Sequence, residues 1–188
     1  MTDQAGPETR KPLYNDRLVF YHPTASATGA ALRLSFRLRR PEEERDSCFF
    51  LEMARQKTAP ARSETGARTA ATFDWQGRAI VKIGILDACE MLTVLEGKAE
   101  QIRGGKGLFH DAGEMTTVIG FRRNADPAGF AMEISRKGKG DNSADGFKGY
   151  ILLSEAEGIA VRCMLQQGVG LLAVANLAST LLYPPLPL

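Results

Sequence analysis

"FFLEMAR" at 49–55 and "FAMEISR" at 130–136 carry Phe, Glu and Arg in the same places. Either one strand pattern has arisen twice or the chain is built twice, and the flanking sequence decides. Tyr21-His22 matches Phe109-His110 at a separation of 88, Phe36-Arg37 matches Phe121-Arg122 at 85, and the quoted pair matches at 81. Phe73 against Phe147, Gly84-Ile85 against Gly158-Ile159, and Cys89 against Cys163 all fall at 74. The separation shrinks only across loops, so the matches keep their order, and we read an internal duplication.

Local patterns supply the content of each unit. In the first, strand signals occur at "LYNDRLVFYH", "AALRLSFRLRR", "SCFFLEMARQ" and "TAATFDWQG". The second of these alternates cleanly, with Leu32, Leu34, Phe36 and Leu38 on one face and Arg33, Ser35, Arg37 and Arg39 on the other. From Ile80 to about Leu95 the apolar period becomes helical, and the glycine-rich "EGKAEQIRGGKG" ends that helix. Then come "GLFHD", "EMTTVIGFRR", "GFAMEISRK" and "FKGYILL", followed by a second helix opening on "SEAE". That opening is a capping box, in which Ser154 and Glu157 satisfy each other's backbone donors. The order is four strands and a helix, twice.

The bulk numbers describe a globular chain of 188 residues, 44% hydrophobic and 24% charged, long enough for one domain with a core. A net charge of +2 excludes a histone-like polycation but permits a local basic patch. Cys48, Cys89 and Cys163 are odd in number and widely spaced, which reads as buried thiols of a reduced, intracellular protein. No apolar run reaches the roughly 18 residues of a membrane span. Residues 1–12 read as a disordered arm, 13–176 as one domain (units at about 13–97 and 107–176), and 177–188 as an extended, proline-rich tail.

With its duplicated ββββα plan, the sequence resembles the Whirly proteins, which bind single-stranded DNA. Related kinetoplastid mitochondrial proteins share the plan and bind guide RNA. The resemblance runs from about Leu13 to about Ala175. "YNDRLVFYH…TGAALRLS" is similar to the family's first hairpin, with Thr28-Gly29-Ala30-Ala31-Leu32 where the family has Lys-Gly-Lys-Ala-Ala-Leu. "FDWQGR" resembles the stretch leading into the first helix, and "YILLSEAEG" the approach to the second. "LFHDAG" resembles a Phe-His-Asp-Pro segment, with Ala112 in place of the proline.

The resemblance implies an α+β fold of two antiparallel four-stranded sheets packed roughly perpendicular, with a helical layer. It also implies a homotetramer through the helices and single strands lying along the sheet edges. The wide apolar surface of the second helix, from Ile159 through Val174, is compatible with such an interface. Binding a single strand requires cations for phosphates and aromatic faces for bases. The candidates are Arg33, Arg37 and Arg39 on one strand, Arg122 and Arg123 at the equivalent place in the second unit, and Arg55 and Arg136 ending the matched strands. Lys106, Lys137 and Lys139 in the glycine-rich loops add mobile charges, and Tyr21 and Phe109 are base stackers, with Tyr14 and Trp75 as further aromatics. The expected partner is therefore single-stranded DNA or RNA, in the cytoplasm and associated with the nucleoid in a bacterium, in transcription or genome maintenance.

Catalysis is not expected. "GGKG" lacks the spacing and the Ser or Thr of a phosphate loop, and no nucleophile elbow or dinucleotide fingerprint appears. His22, His110 and Asp111 have no metal-ligand spacing, so no metal or cofactor is expected; the histidines read as duplicated strand residues. Asp87 and Glu90 read as a solvated helix face. The competing reading is an oligomeric scaffold that has kept the fold and lost the binding track.

Overall fold

The computed structural model describes residues 17–38, 47–62, 66–139 and 146–182, with side chains to 174 in the last helix. Tyr14, Arg39, the arm read at 1–12 and residues 183–188 of the tail lie outside the described residues. The first sheet has the order β1 (Arg17–His22), β2 (Ala30–Arg37), β3 (Cys48–Thr58), β7 (Ala79–Ile83), every pair antiparallel. Between β3 and β7 the chain forms a small hairpin, β4 (Ala61–Arg62) with β5 (Arg68–Thr69), and then β6 (Thr72–Phe73), which pairs with the end of β3. The second sheet contains β8 (Leu108–Ala112), β9 (Met115–Asn124), β10 (Gly129–Gly138) and β11 (Phe147–Ser154), also antiparallel. Each sheet is followed by a helix, α1 (Ile85–Leu95) and α2 (Glu155–Leu182). The architecture is α+β, a ββββα unit used twice.

The pairing ladders test which sequence matches are structural. Ala30 lies opposite Arg55 in the first unit, and Thr117 opposite Arg136 in the second. The same two residues face His22 and His110 on their other side. Phe49 faces Ile83, and Phe130 faces Leu153. Arg55 therefore corresponds to Arg136, His22 to His110, and Ile83 to Leu153, so the matches at 88 and 81 are true equivalences.

The other two sets are not. The ladder puts Phe121 in the place of Leu34, not of Phe36. The matches at 74 fail because the fourth strand of the first unit is β7, whereas the sequence reading placed it at "TAATFDWQG" and began the helix at Ile80. In β7, Ala79, Val81 and Ile83 are buried while Ile80 and Lys82 are exposed, which is the period of a strand. A short strand running straight into a helix shares apolar positions with both periods, and that overlap misplaced the boundary. Cys89 and Cys163 are consequently not equivalent, and only Cys48 is buried; Cys89 is half-buried and Cys163 exposed. α2 stays helical to Leu182, beyond the tail boundary read at 177.

One apolar core joins the inward faces of both sheets to both helices, including Leu32, Leu34, Phe49, Leu51, Ile119, Phe121, Met132, Met91 and Leu165. Two helix glycines allow α2 to lie close. A Cβ at Gly158 would stand 2.3 Å from the Phe130 ring, and one at Gly168 2.2 Å from the Phe49 ring. Gly168 thus admits a neighbour, and the neighbour is the chain's own β3. No helix among the described residues is long and apolar enough to cross a membrane.

The two units also exchange polar contacts. His22 Nε2 lies 2.7 Å from Glu157 Oε1, and His110 Nε2 lies 3.5 Å from Asp87 Oδ2. These are corresponding pairs. Each histidine sits on the first strand of one unit, and each acid is the third residue of the other unit's helix. Each acid also accepts the backbone N–H at its helix start, Ser154 to Glu157 at 2.8 Å and Gly84 to Asp87 at 3.1 Å. The sequence reading of Asp87 as merely solvated is therefore corrected: it caps one helix and faces a histidine of the other unit.

Burial pushes the Glu157 carboxyl up, but hydrogen bonds from His22 and from the Ser154 backbone and hydroxyl outweigh it and hold its pKa below the ordinary value. A depressed carboxyl contributes stability above its unfolded pKa of about 4.3 and loses it as pH falls through the folded value. The parent chain should therefore melt above Glu157→Gln near neutral pH, with the gap closing between about pH 5 and pH 3. Thermal melts across that range read the effect, and a gap independent of pH would contradict the assignment.

Candidate nucleic-acid interface

On the outward face of the first sheet, the alternation of β1 and β2 presents Tyr21, Arg33 and Arg37 together. The segment after β6 folds over this face. The Arg33 guanidinium carbon lies 4.1 Å from the Trp75 ring centre, and the Tyr21 ring lies 5.4 Å from Phe73 and 6.4 Å from Trp75. Beneath them is Glu52, only 8% exposed, 3.4 Å from Arg33 Nη1 and 2.5 Å from Arg78 Nε. Arg78 also donates to the Trp75 carbonyl, and Asp74 Oδ1 accepts from the Gly77 backbone at 3.0 Å to close the turn. Removing one partner of so buried a pair costs on the order of 3 kcal/mol. Arg33 is thus engaged by a ring and by a carboxylate. Arg37 lies 5.8 Å over the Phe50 ring.

The second sheet turns Phe109, Arg122 and Lys137 outward, together with Tyr150 and Lys148 of β11. Phe109 is 64% exposed and Tyr150 47%. A turn at Ile102–Gly105 rests on this face, enclosing a cleft of about 190 Å³ lined by Gln101, Gly120, Arg122 and Tyr150. Gly107 makes that approach possible: it has φ +75°, and a Cβ there would stand 2.6 Å from the Ile119 carbonyl oxygen.

Where β11 meets the first sheet, the absence of a side chain at Gly149 lets Met53 come close; a Cβ would lie 2.5 Å from the Met53 sulfur. Beside this contact opens a cleft of about 580 Å³ lined by Thr28, Arg55, Lys57, Lys148 and Tyr150. A further cavity of about 320 Å³ is lined by Arg55, Arg78, Arg136 and Phe147. Tyr150 borders the first two spaces and Arg55 the last two, and we refer to the three together as the track. Its lining cations are Arg122, Lys148, Lys57, Arg55, Arg136 and Arg78, against the carboxylates Glu133 and Asp74. Lys148 lies 3.3 Å from Glu133 on the exposed face, a weakly coupled pair.

The remaining sequence candidates lie elsewhere. Arg123 stacks 4.9 Å over Phe130 and pairs with Glu155 at 2.9 Å, tying β9 to the start of α2. Lys139 lies 2.5 Å from Asp111, and Lys106 is exposed at the end of the turn. Arg39 is outside the described residues. The expected correspondence of Arg122 and Arg123 with the β2 stripe does not hold. The ladder sets Gly120 in the place of Arg33 and Asn124 in the place of Arg37. Tyr150, Lys148, Lys57 and Arg78 were missed. The first two were legible as the outward positions of "FKGYILL", where Phe147, Gly149 and Ile151 alternate inward. Among the described residues, no three potential metal ligands cluster.

This is the Whirly fold. The crystal structure of WHY3 from Arabidopsis thaliana matches with a TM-score of 0.61, covering 94% of this chain and 100% of that one at 15% identity. The plant transcriptional regulator PBF-2 gives 0.60, covering 89% and 87% at 15% identity. The trypanosome MRP1/MRP2 structure gives 0.52, covering 82% and 91% at 10% identity. No family model matches the sequence, and no curated protein matches it.

Proposed function

We propose that the protein is a non-catalytic binder of single-stranded nucleic acid with low sequence specificity, DNA before RNA. The observation that carries this reading is the series of neighbouring clefts from Arg122 past Tyr150 and Arg55 to Arg136, each lined by at least one cation and with the exposed Tyr150 between two of them. Guanidinium and ammonium groups neutralise the phosphates while Tyr150 and the exposed Phe109 stack bases, an interaction every base can make. The Whirly fold supports a single-stranded nucleic acid as the partner, and the likeness to a plant transcriptional regulator supports a role in transcription; genome maintenance, and the cytoplasm or a bacterial nucleoid as the place of action, are part of the same proposal.

Fluorescence anisotropy with labelled single-stranded DNA, single-stranded RNA and duplex tests this. Single strands should bind over duplex, and Arg122→Glu with Lys148→Glu should weaken binding about tenfold or more and flatten its salt dependence. A parent chain that binds no single strand at low salt overturns the reading. The scaffold then takes its place, favoured by one observation: Arg33, at the centre of the expected stripe, is already held by Glu52 and Trp75.

We also read the chain as a homotetramer assembled through its helices, because Leu86 of α1 and Ile159, Leu171 and Val174 of α2 are exposed apolar side chains. Light scattering should give four chains, and Leu171→Glu with Val174→Glu should dissociate them. A monomeric parent at micromolar concentration contradicts this.

A further inference from the structure

The cavity at the far end of the track is built from two copies of one residue. Arg55 and Arg136 occupy corresponding places, each on the inward side of its unit's third strand where the apolar run ends. They reach one cavity from opposite sheets. Each unit contributes the same cation, so the duplication itself doubles the charge at this point.

Among the described residues the charge is not answered. Arg78 has Glu52, but neither Arg55 nor Arg136 has an ion-pair partner among the described residues, and no carboxylate among them lines the cavity. The Arg55 guanidinium lies 5.4 Å over the Phe147 ring, which restricts it without neutralising it. Arg136 Nε is shielded from solvent and has no hydrogen-bond partner among the described residues. Two guanidinium groups lining one cavity call for an anion with several oxygens in a compact group.

We propose that this cavity seats a phosphate group, either at the end of a nucleic-acid strand lying in the track or on a small free phosphate. The first source rests on the nucleic-acid reading; the second does not. A terminal phosphate suits the cavity better than an internal diester. It carries up to two charges and three free oxygens, so forks from both sheets can engage it at once.

The test has two arms on the full chain. In the first, one single-strand sequence is compared with a 5′-phosphate, a 3′-phosphate or hydroxyl ends. One phosphorylated end should bind about tenfold tighter than hydroxyl ends, and Arg136→Gln should bring that ratio close to one. In the second, inorganic phosphate should raise the melting temperature above chloride at equal ionic strength, in the parent and not in Arg136→Gln. Arg136→Lys, with its charge kept, should retain part of both effects, which separates loss of the site from loss of the fold. An end preference alone assigns the strand terminus, and a melting shift alone assigns a free phosphate. Strand binding with neither effect overturns the phosphate site and leaves the nucleic-acid reading standing. A melting shift with no strand binding does the reverse.

Discussion

Successive side chains of a strand point to opposite faces of the sheet, and that alternation sets where this protein presents its charge. In β2 the core-facing positions are Ala30, Leu32 and Leu34, which leaves Arg33 and Arg37 on the opposite face, beside the covered Ala31. In β3 and β10 the buried run ends in Arg55 and Arg136, so these two arginines point toward the core side at the place where the core stops. The same rule sets Lys148 and Tyr150 outward on β11 while Gly149 turns in and lets Met53 come close. The track between the sheets is a consequence of that register. A shift of one residue in β10 or β11 would bury its cations and expose its core.

Duplication adds a second constraint. Each unit's helix begins with an acid that both caps its own backbone and meets a histidine of the other unit. Neither capping acid is spent on its own unit alone, and each helix start is held in place by the first strand of its neighbour. Each histidine thus faces a carboxylate across the pseudo-symmetric boundary, at 2.7 Å for His22 and 3.5 Å for His110.

The duplicated plan was legible because strongly patterned stretches, such as those at 49–55 and 130–136, lie in the central strands, where both burial and pairing restrict them. The "SEAE" capping box was legible for the same kind of reason, since its hydrogen bonds are local. The first helix start was not, because β7 turns into α1 through Gly84 alone and its apolar residues fit both periods. At the site, sequence spacing identified Arg55 and Arg136 as partners in the repeat but carried no sign that they share a cavity. That depends on how the sheets meet at Gly149 and Met53. The arginine stripe of β2 was read correctly as outward-facing, yet the stacking of Arg33 on Trp75 depends on a segment more than forty residues away folding back over it. Such long-range contacts leave no local period.

Amide hydrogen exchange on the chain with and without a saturating single-stranded oligonucleotide tests most directly whether a strand lies where the two sheets meet. The account predicts new protection in β11, at the Arg55 end of β3 and in the turn at Ile102–Gly105, with the outward face of β1 and β2 changing little. Protection confined to β1, β2 and the Trp75 segment, with β11 unchanged, would contradict it and place the strand on the face the protein already covers with its own side chains.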